Sequence, residues 1–280
     1  MPESPNAGWN DFRRVGALYD AYSIFYAIAV NAASLHRGYY VGPEDSTKFS
    51  EAADRLTRHV ATYLDLSPGD HLLDIGCGTG QPDILIAQET GCRVTGLNVG
   101  SGQIAMARML TEAAGLTDRL TFELSDGLSY PFLDGTFDAV LFFESIAHIP
   151  DKEAAIREAV RCLKPGGTLT VVENFEIPHA GTAQWRSFLE ETMRWYPSTV
   201  DDTAKMFRST GLALERVVDL TEQTEDAYRR ALEEASARQD EVVRFLGAET
   251  GAGMLDGLKT LVETLAGKIE FAVLTGRKEG

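Results

Sequence analysis

Between residues 71 and 176, short apolar runs alternate with longer segments whose apolar positions recur every three or four residues. The short runs predict buried strands, and the longer segments predict helices that cover them. Strands are predicted over 72–75, 92–97, 120–125, 137–143, 168–172, 212–219 and 269–275. Helices are predicted over 81–90, 102–114, 201–210 and from a cap at Asp151 onward. This alternation predicts βαβ units, and therefore an α/β fold with a parallel sheet between two layers of helices.

The N-terminal part of the chain has a different pattern. Residues 1–66 are expected to form a helical cap, because aromatic residues recur at helical spacing over 19–35 and apolar residues do so from Phe49. A turn at Ser67-Pro68-Gly69-Asp70 separates this cap from the core, which is predicted to span 67–280.

Two insertions are predicted within that core. The first, 178–200, has an amphipathic pattern formed by Trp185, Phe188, Leu189, Met193 and Trp195 and is expected to form a lid. The second, 221–267, is expected to be helical, with one charged helix over 221–246 that keeps a single apolar stripe. The glycine-rich stretch 247–253 is expected to separate this helix from the next one.

Charge and composition exclude several classes of function. The 280 residues carry a formal net charge of −16, which disfavours nucleic acid and anionic membrane surfaces as partners. We find no secretory signal and no apolar stretch long enough to span a membrane, so a cytoplasmic protein is expected. The three cysteines have neither disulfide nor metal-ligand spacing, so no metal site is predicted.

The strongest local signal is the run LDIGCGTG at residues 73–80, in which three glycines at alternate positions follow a strand. Only glycine allows a backbone to turn this tightly while leaving the main chain open to a ligand. A phosphate-binding loop would need Lys and a hydroxyl where Gln81 and Pro82 stand. A dinucleotide fingerprint would need glycine at position 81 and an acidic residue after the second strand. A ligand with a nucleoside but no phosphate therefore fits the loop better.

At this point the sequence resembles the class I S-adenosylmethionine-dependent methyltransferases. LDIGCGTG is similar to the family's first motif, and LKPGG at 163–167 resembles its turn before the fifth strand. The resemblance implies a Rossmann-like sheet of seven strands, mostly parallel with the last one antiparallel, and S-adenosylmethionine as cofactor. It also implies that the cofactor is bound by Asp74, Gly76, Gly78, Gly80, Asp126 and Gly127.

Three further segments resemble the small-molecule branch of this family, which includes antibiotic sugar O-methyltransferases, tocopherol methyltransferases and cyclopropane fatty-acid synthases. LHRGYY at 35–40 is similar to the branch's LHxGYW signature, with Tyr40 in place of Trp. VTGLN at 94–98 resembles its VTGxxxSxxQ pattern, although Gly100 stands where Ser is usual. ESIAHIP at 144–150 looks like its ESLHHMP segment. Through these segments, the resemblance adds four expected cofactor ligands, namely Tyr39, Asn98, Gln103 and Glu144.

The same segments suggest catalytic candidates. His148 follows the fourth strand and has an unperturbed pKa near neutrality, so it is the expected general base for a hydroxyl acceptor. Tyr22, in the aromatic cap, is expected to exclude water and to face the sulfonium group of the cofactor. Asn174 stands where related sugar methyltransferases carry an acidic partner. Alternation along the strand is expected to turn the neighbouring Glu173 to the opposite side.

These features predict an enzyme that methylates a bulky, moderately hydrophobic small molecule in secondary metabolism. Methylation of oxygen is preferred to methylation of an electron-rich carbon, which the aromatic cap also accommodates. A non-methylating cyclase that retains the cofactor is the alternative, because fold and loop do not fix the reaction. A nucleic-acid or protein methyltransferase would have to overcome the negative charge. The aromatic N-terminal helix leaves a homo-oligomer open.

Overall fold

The computed structural model describes residues 7–125 and 129–279, with residues 7–12 described by their backbone only. Within these residues, seven strands form one sheet. Their order is β3-β2-β1-β4-β5-β7-β6. The strands are β1 His71–Ile75, β2 Arg93–Asn98, β3 Leu120–Leu124, β4 Phe137–Phe143, β5 Leu163–Glu176, β6 Leu212–Asp219 and β7 Ile269–Lys278. Strands β1 to β5 are parallel, and β7 lies antiparallel between β5 and β6. The predicted seven-stranded sheet with an antiparallel last strand is therefore confirmed.

Helices cover both faces of the sheet and its carboxyl end. They are α1 Ala7–Ala29, α2 Phe49–Ala61, α3 Gln81–Thr90, α4 Ser101–Ala113, α5 Lys152–Cys162, α6 Ala183–Phe188, α7 Val200–Ser209, α8 Thr221–Thr224, α9 Ala227–Ala237, α10 Gln239–Leu246 and α11 Ala248–Leu265. A 3₁₀ turn over Ile146–His148 follows β4, and a π-helix over Leu189–Met193 continues α6. None of the described helices is long and apolar enough to cross a membrane.

The element boundaries correct three expectations. The aromatic helix ends at Ala29 rather than Leu35. The segment 221–246 is divided into α8, α9 and α10, and the glycine-rich stretch 247–253 lies largely inside α11. Its Gly251 faces α10, where an added Cβ would lie 3.2 Å from the Val242 side chain. This glycine therefore permits close helix packing instead of ending a helix.

Strand β5 is longer than expected at both ends. The turn at 164–167 has the positive φ at Gly166 (+77°) that a type II turn requires, yet it lies within the strand, which starts at Leu163. At the other end the strand continues to Glu176 because it pairs with β7 as far as Ile269. This extension carries Glu173 and Asn174 to the carboxyl end of the sheet, where β4 also ends.

The predicted N-terminal cap and the helical insertion share one apolar core. Phe25, Tyr26 and Phe49 from the cap pack with Ala231 and Leu258 from the insertion. Phe25 and Phe49 are completely buried. Two segments that are far apart in sequence therefore form a single helical layer over the carboxyl end of the sheet.

Helix α1 is fastened to the start of α4 by the Asp20 carboxylate. Its oxygens accept hydrogen bonds from the backbone N–H groups of Gly102 (3.0 Å) and Gln103 (2.8 Å). These N–H groups belong to the first turn of α4 and have no partner within the helix, so Asp20 supplies the cap that Gly100 cannot. A Cβ at Gly100 would lie 2.6 Å from the Asp20 carboxylate, which explains why serine is absent there.

Two buried acids lie beneath the glycine loop. Asp74 is the residue before the last one of β1, Asp83 lies in the first turn of α3, and both are at most 1% exposed. Burial raises the pKa of Asp74 to about 7, and burial together with the charge of Asp74 raises the pKa of Asp83 above its usual range. Among the described residues, no donor reaches either oxygen of Asp83. Two neighbouring carboxyl groups that are both buried resist carrying two negative charges, so we expect the pair to share one proton.

We expect Gly16→Ala to destabilise the protein by about 1–3 kcal/mol, because a well-packed contact cannot accept an extra methyl group without moving. An added Cβ at Gly16 would lie only 2.6 Å from the carbonyl oxygen of Val99. Urea unfolding measures the change. Gly253→Ala is the control, since nothing lies within 4 Å of a Cβ there. Equal stability of the Gly16 variant and the wild type would show that α1 does not pack tightly on this loop.

We expect Asp83→Asn to raise the Tm at pH 8 by about 3–6 °C and to have a smaller effect at pH 5. Because the folded-state pKa values of the pair are raised, its contribution to stability is present below about pH 4 and is lost as the pH rises through about 7. The asparagine amide would donate to Asp74 without needing a proton.

The control is Asp138→Asn, because the Lys164 ammonium and the His71 backbone N–H lower the pKa of Asp138. This variant should lower the Tm at both pH values. A difference between Asp83→Asn and the wild type that is the same at pH 5 and pH 8 would contradict the shared proton.

Candidate active site

Two cavities meet at the carboxyl end of the sheet. The first, which we call the loop cavity, has a volume of about 150 Å³ and is lined by His36, Gly76, Gly78, Asn98, Gln103 and Ser125, among others. The second, the aromatic chamber, has a volume of about 280 Å³, and its lining includes Tyr19, Tyr22, Tyr26, Tyr228, Phe188 and Trp195. Both cavities are lined by Tyr19, Leu35, Glu144, His148 and Tyr228, which therefore form their shared wall.

The glycine loop forms the floor of the loop cavity. Gly76 and Gly78 line it with φ values of +89° and +55°, a backbone region that favours glycine. A Cβ at Gly78 would have only the Gln103 amide within 4 Å, so it would project into open space. A Cβ at Gly76 would collide with Ser145, 2.3 Å away. The loop thus exposes its main chain to a ligand, as the glycine pattern predicts.

The amide side chains of Asn98 and Gln103 lie together at one side of the loop cavity. Asn98 donates a hydrogen bond to Gln103 (2.7 Å), and Gln103 donates to the hydroxyl of Ser23 on α1 (3.0 Å). Both side chains are at least 93% buried yet line the cavity. Neutral amides that both donate and accept suit the hydroxyl groups of a ribose. The expected position of these two residues is therefore consistent with a nucleoside ligand.

Glu144 forms the centre of the shared wall. Its backbone has a φ of +48°, which is unusual for a residue with a side chain and turns the carboxylate toward both cavities. The carboxylate accepts hydrogen bonds from the Arg37 backbone (2.7 Å), the Asn174 amide (3.1 Å) and the Tyr228 hydroxyl (3.0 Å). Cap, core and helical insertion therefore meet at this one side chain.

His148 is held between the lid and the N-terminal helix. Its Nδ1 donates a hydrogen bond to the carbonyl of Arg194 (3.0 Å), because a carbonyl can only accept. Burial lowers the pKa of His148 to about 4, so the ring is neutral at pH 7 and its Nε2 carries a lone pair. The Tyr19 hydroxyl lies 2.6 Å from this Nε2. Burial, followed by the nearby Glu173 and Glu144, raises the pKa of Tyr19, so its hydroxyl keeps its proton and donates.

Asn174 lines the aromatic chamber, as His148 does, and bridges Arg37 and Glu144. Its carbonyl oxygen accepts from the Arg37 guanidinium (2.5 Å), and its amide donates to Glu144. Arg37 is 3% exposed, donates to the carbonyl of Thr224 (2.8 Å), and stacks 4.5 Å above the Tyr228 ring. An acidic residue at position 174 would lose the bond to Glu144. The neutral amide thus links a buried cation to a carboxylate.

Glu173 lines the aromatic chamber beside Asn174, so the expectation that it points to the opposite side is wrong. Strand alternation fixes the direction of the Cβ atom, but the long side chain bends back to accept from the Asn174 N–H (2.8 Å). Its other oxygen accepts from the Ala147 N–H (3.1 Å). Burial and then the charge of Glu144 raise the pKa of Glu173 to about 7.

The remaining expected ligands are placed differently. Tyr39 lines neither cavity and packs against the His59 ring, with 4.8 Å between ring centroids. Gly80 packs under the Phe122 ring, and Asp74 lies beneath the loop, so both support the cavity from outside. Tyr22 lines the aromatic chamber and not the loop cavity. Asp126 and Gly127 lie outside the described residues.

Sequence reasoning missed three residues of the shared wall and its surroundings. Tyr19 appears in the sequence only as one of several aromatic positions on a helix, and Tyr228 as part of an apolar stripe. Asp20 has no local signal at all, because its partners are 82 and 83 residues away. Such residues become recognisable only when distant segments are placed against each other.

Comparison with known proteins gives the family. A family model described as a methyltransferase domain matches residues 73–171. Methyltransferase GfsG of Streptomyces halstedii is 33% identical over 216 residues, which is 76% of this chain and 77% of that protein. The 27-O-demethylrifamycin SV methyltransferase of Amycolatopsis mediterranei is 31% identical over 248 residues, 88% of this chain and 90% of that protein.

Solved structures agree with this assignment. The [4+2]-cyclase SpnF superimposes with a TM-score of 0.83 at 29% identity, covering 95% of this chain and 96% of that one. The mycolic acid cyclopropane synthase CmaA1, solved with S-adenosylhomocysteine, has the same fold at 19% identity, with a TM-score of 0.81 and coverage of 95% and 98%. The chain therefore belongs to the class I S-adenosylmethionine-dependent methyltransferases and is a methyltransferase of the secondary-metabolite type, with S-adenosylmethionine as its cofactor.

Proposed function

We propose that this enzyme methylates a hydroxyl oxygen of a bulky, uncharged secondary metabolite, with His148 as the general base. The observation that carries the proposal is the position of His148 in the wall shared by both cavities, with its Nε2 free of a proton. Bound in the loop cavity, the cofactor supplies an electrophilic methyl group on a sulfonium cation. The residues of the shared wall must then align the acceptor and remove its proton.

Tyr19 and His148 provide a route for that proton. The Tyr19 hydroxyl donates to Nε2 of His148, and its oxygen retains lone pairs that face the aromatic chamber. As the acceptor oxygen gains the methyl group, its proton passes to the Tyr19 oxygen while the Tyr19 proton passes to Nε2. The products are a methyl ether, a neutral thioether and an imidazolium. Because the pKa of His148 is depressed, the imidazolium readily returns its proton to water.

The lining of the aromatic chamber supports an acceptor without phosphate groups. Aromatic and aliphatic side chains dominate, and the charged groups that line it are the carboxyl groups of Glu144 and Glu173. None of its described lining residues is Lys or Arg, so a diphosphate would meet repulsion rather than attraction. Neutral hydroxylated molecules can bind by apolar contact and by hydrogen bonds to the tyrosine hydroxyls.

Carbon methylation and cyclisation are the second candidates. Four tyrosines and two carboxyl groups around the chamber can stabilise a carbocation, which supports methylation of an electron-rich carbon. The likeness to the [4+2]-cyclase SpnF supports a reaction in which the methyl group stays on the cofactor. Neither reaction would depend on the lone pair of His148.

The deciding experiment supplies the purified enzyme with methyl-labelled S-adenosylmethionine and a panel of acceptors. The panel includes a hydroxylated macrocycle such as 27-O-demethylrifamycin SV and, for comparison, geranyl diphosphate. We expect label in the product at an oxygen-bound methyl carbon, identified by its NMR chemical shift. Label on carbon, or a rearranged unlabelled product, would favour one of the second candidates instead.

With an accepted substrate, we expect His148→Ala to reduce kcat by about 10²-fold or more, because it removes the base. We expect Tyr19→Phe to reduce kcat by at least about tenfold, because it breaks the proton route. Cofactor affinity, measured by calorimetry with S-adenosylhomocysteine, should not change in the His148 variant. An unchanged kcat in His148→Ala would remove this residue from the mechanism.

Tyr63→Phe is the matched control for the Tyr19 variant. The Tyr63 hydroxyl is hydrogen-bonded to Nε2 of His59 (2.9 Å), so the substitution breaks another tyrosine–histidine hydrogen bond, outside both cavities. We expect this variant to keep the wild-type kcat. A loss equal to that of Tyr19→Phe would mean that the effect arises from general destabilisation.

A further inference from the structure

Glu173 is a buried carboxyl group that the proposed mechanism does not use. It is 2% exposed, lines the aromatic chamber, and has both oxygens oriented by backbone N–H groups. Two backbone donors fix its position without neutralising its charge. Among the described residues, no Lys, Arg or His forms an ion pair with it. A carboxyl group in this setting is expected to serve the reaction and not the fold, because burying an unpaired charge destabilises a protein.

The groups around Glu173 give it an unbalanced electrostatic setting. The Glu144 carboxylate, which directly follows β4, disfavours a second negative charge on Glu173. Lys152 of α5 acts in the opposite direction but bonds to the carbonyl of Ile149 instead (3.1 Å). Tyr19 and neutral His148 contribute no charge, and the Arg37 guanidinium is bound to Asn174. The lid and α11 present only uncharged residues to the chamber. At neutral pH, Glu173 is therefore close to its point of half-protonation.

The cofactor changes this balance, because S-adenosylmethionine carries a positive charge on sulfur whereas its product, S-adenosylhomocysteine, is neutral there. The methyl group must pass from the loop cavity into the aromatic chamber, and the two cavities meet at the shared wall. A cofactor bound in the loop cavity would present its sulfonium group to that wall, whose acidic member is Glu144. A cation at this place compensates the repulsion between Glu144 and Glu173.

We propose that Glu173 holds a proton in the free enzyme and in the complex with the neutral product, and releases it to solvent when the cationic donor binds. The carboxylate so formed complements the sulfonium charge. It also faces the acceptor oxygen or carbon toward which positive charge moves during methyl transfer. Once the methyl group has left, the carboxylate takes up a proton from solvent. Glu173 thereby makes the site select the charged donor over the spent cofactor.

This inference rests on the cofactor and not on the identity of the acceptor. Its test needs no acceptor and no turnover, so it can fail while oxygen methylation stands, and the reverse is also true. S-adenosylmethionine and S-adenosylhomocysteine share the adenosyl and amino-acid groups. Any change that these shared groups cause in the protonation of a residue in the loop cavity, such as His36, is the same for both ligands. It therefore cancels when the two proton releases are compared.

The experiment is isothermal titration calorimetry of the full-length enzyme in two buffers that differ in ionisation enthalpy. We expect S-adenosylmethionine to release about 0.5 proton more than S-adenosylhomocysteine at pH 7, because Glu173 is half protonated there. From pH 6 to pH 8, the affinity for S-adenosylmethionine should rise about tenfold relative to that for S-adenosylhomocysteine. Equal proton release for the two ligands in the wild type would overturn the proposal.

Variants identify the group responsible. Glu173→Gln should release equal numbers of protons with both ligands and lose the pH-dependent preference, whereas Glu173→Asp, which keeps a titratable carboxyl, should retain a difference. Glu270→Gln is the matched control. Burial also raises the pKa of Glu270. This residue is on β7, where it pairs with Phe175 of β5, and it lines neither cavity. This control should behave as the wild type does. A ligand-dependent difference that persists in folded Glu173→Gln would assign the proton to another group and overturn the proposal.

Discussion

The organisation of the site depends on how the Glu144 carboxylate is held. Its donors come from the segment before α2, from the end of β5 and from α9, so three regions far apart in sequence converge on one charged group. Hydrogen bonds to a charged group contribute about 1.5–3 kcal/mol each, enough to maintain a positive φ at a residue with a side chain. The same carboxylate lies in the wall between the loop cavity and the aromatic chamber. The hydrogen bonds that join the three regions therefore also divide the site into two cavities.

Charge is distributed unevenly between the two cavities. Glu144 lines both cavities and Glu173 lines only the aromatic chamber, so the chamber has two carboxyl groups in its lining and the loop cavity has one. In the proposed reaction, methyl transfer moves positive charge from the loop cavity toward the aromatic chamber. An arrangement with negative charge on the receiving side favours the transition state over the bound reactants, because the protein dipoles and charges are already in place. In the proposed reaction, Glu173 therefore stands on the receiving side, and Glu144 stands between the two cavities.

Several departures from the family pattern have a structural explanation. Gly100 replaces serine because the Asp20 carboxylate of α1 occupies the space of a side chain and caps α4 from outside. Ala147 replaces the first histidine of a pair and packs in a cluster with Trp185, Leu189 and Trp195. Asn174 replaces an acid because its side-chain oxygen accepts a hydrogen bond from the Arg37 guanidinium while its NH₂ group donates one to the Glu144 carboxylate. Each change is compensated by a residue from a distant segment, so the motif sequence alone gives no sign of it.

The sequence alone determined the α/β class, the seven strands and the glycine loop, because alternation, helical spacing and the need for positive φ are properties of residues only a few positions apart. It also predicted Asn98, Gln103 and His148 at the carboxyl edge of the sheet, where all three line the loop cavity. Only the tertiary structure decided which side chains face one another there. Tyr19 and His148 are 129 residues apart, and the carboxyl group of Glu173 reaches the chamber by bending against strand alternation. Such pairings arise from burial and packing of the whole chain, which no local pattern encodes.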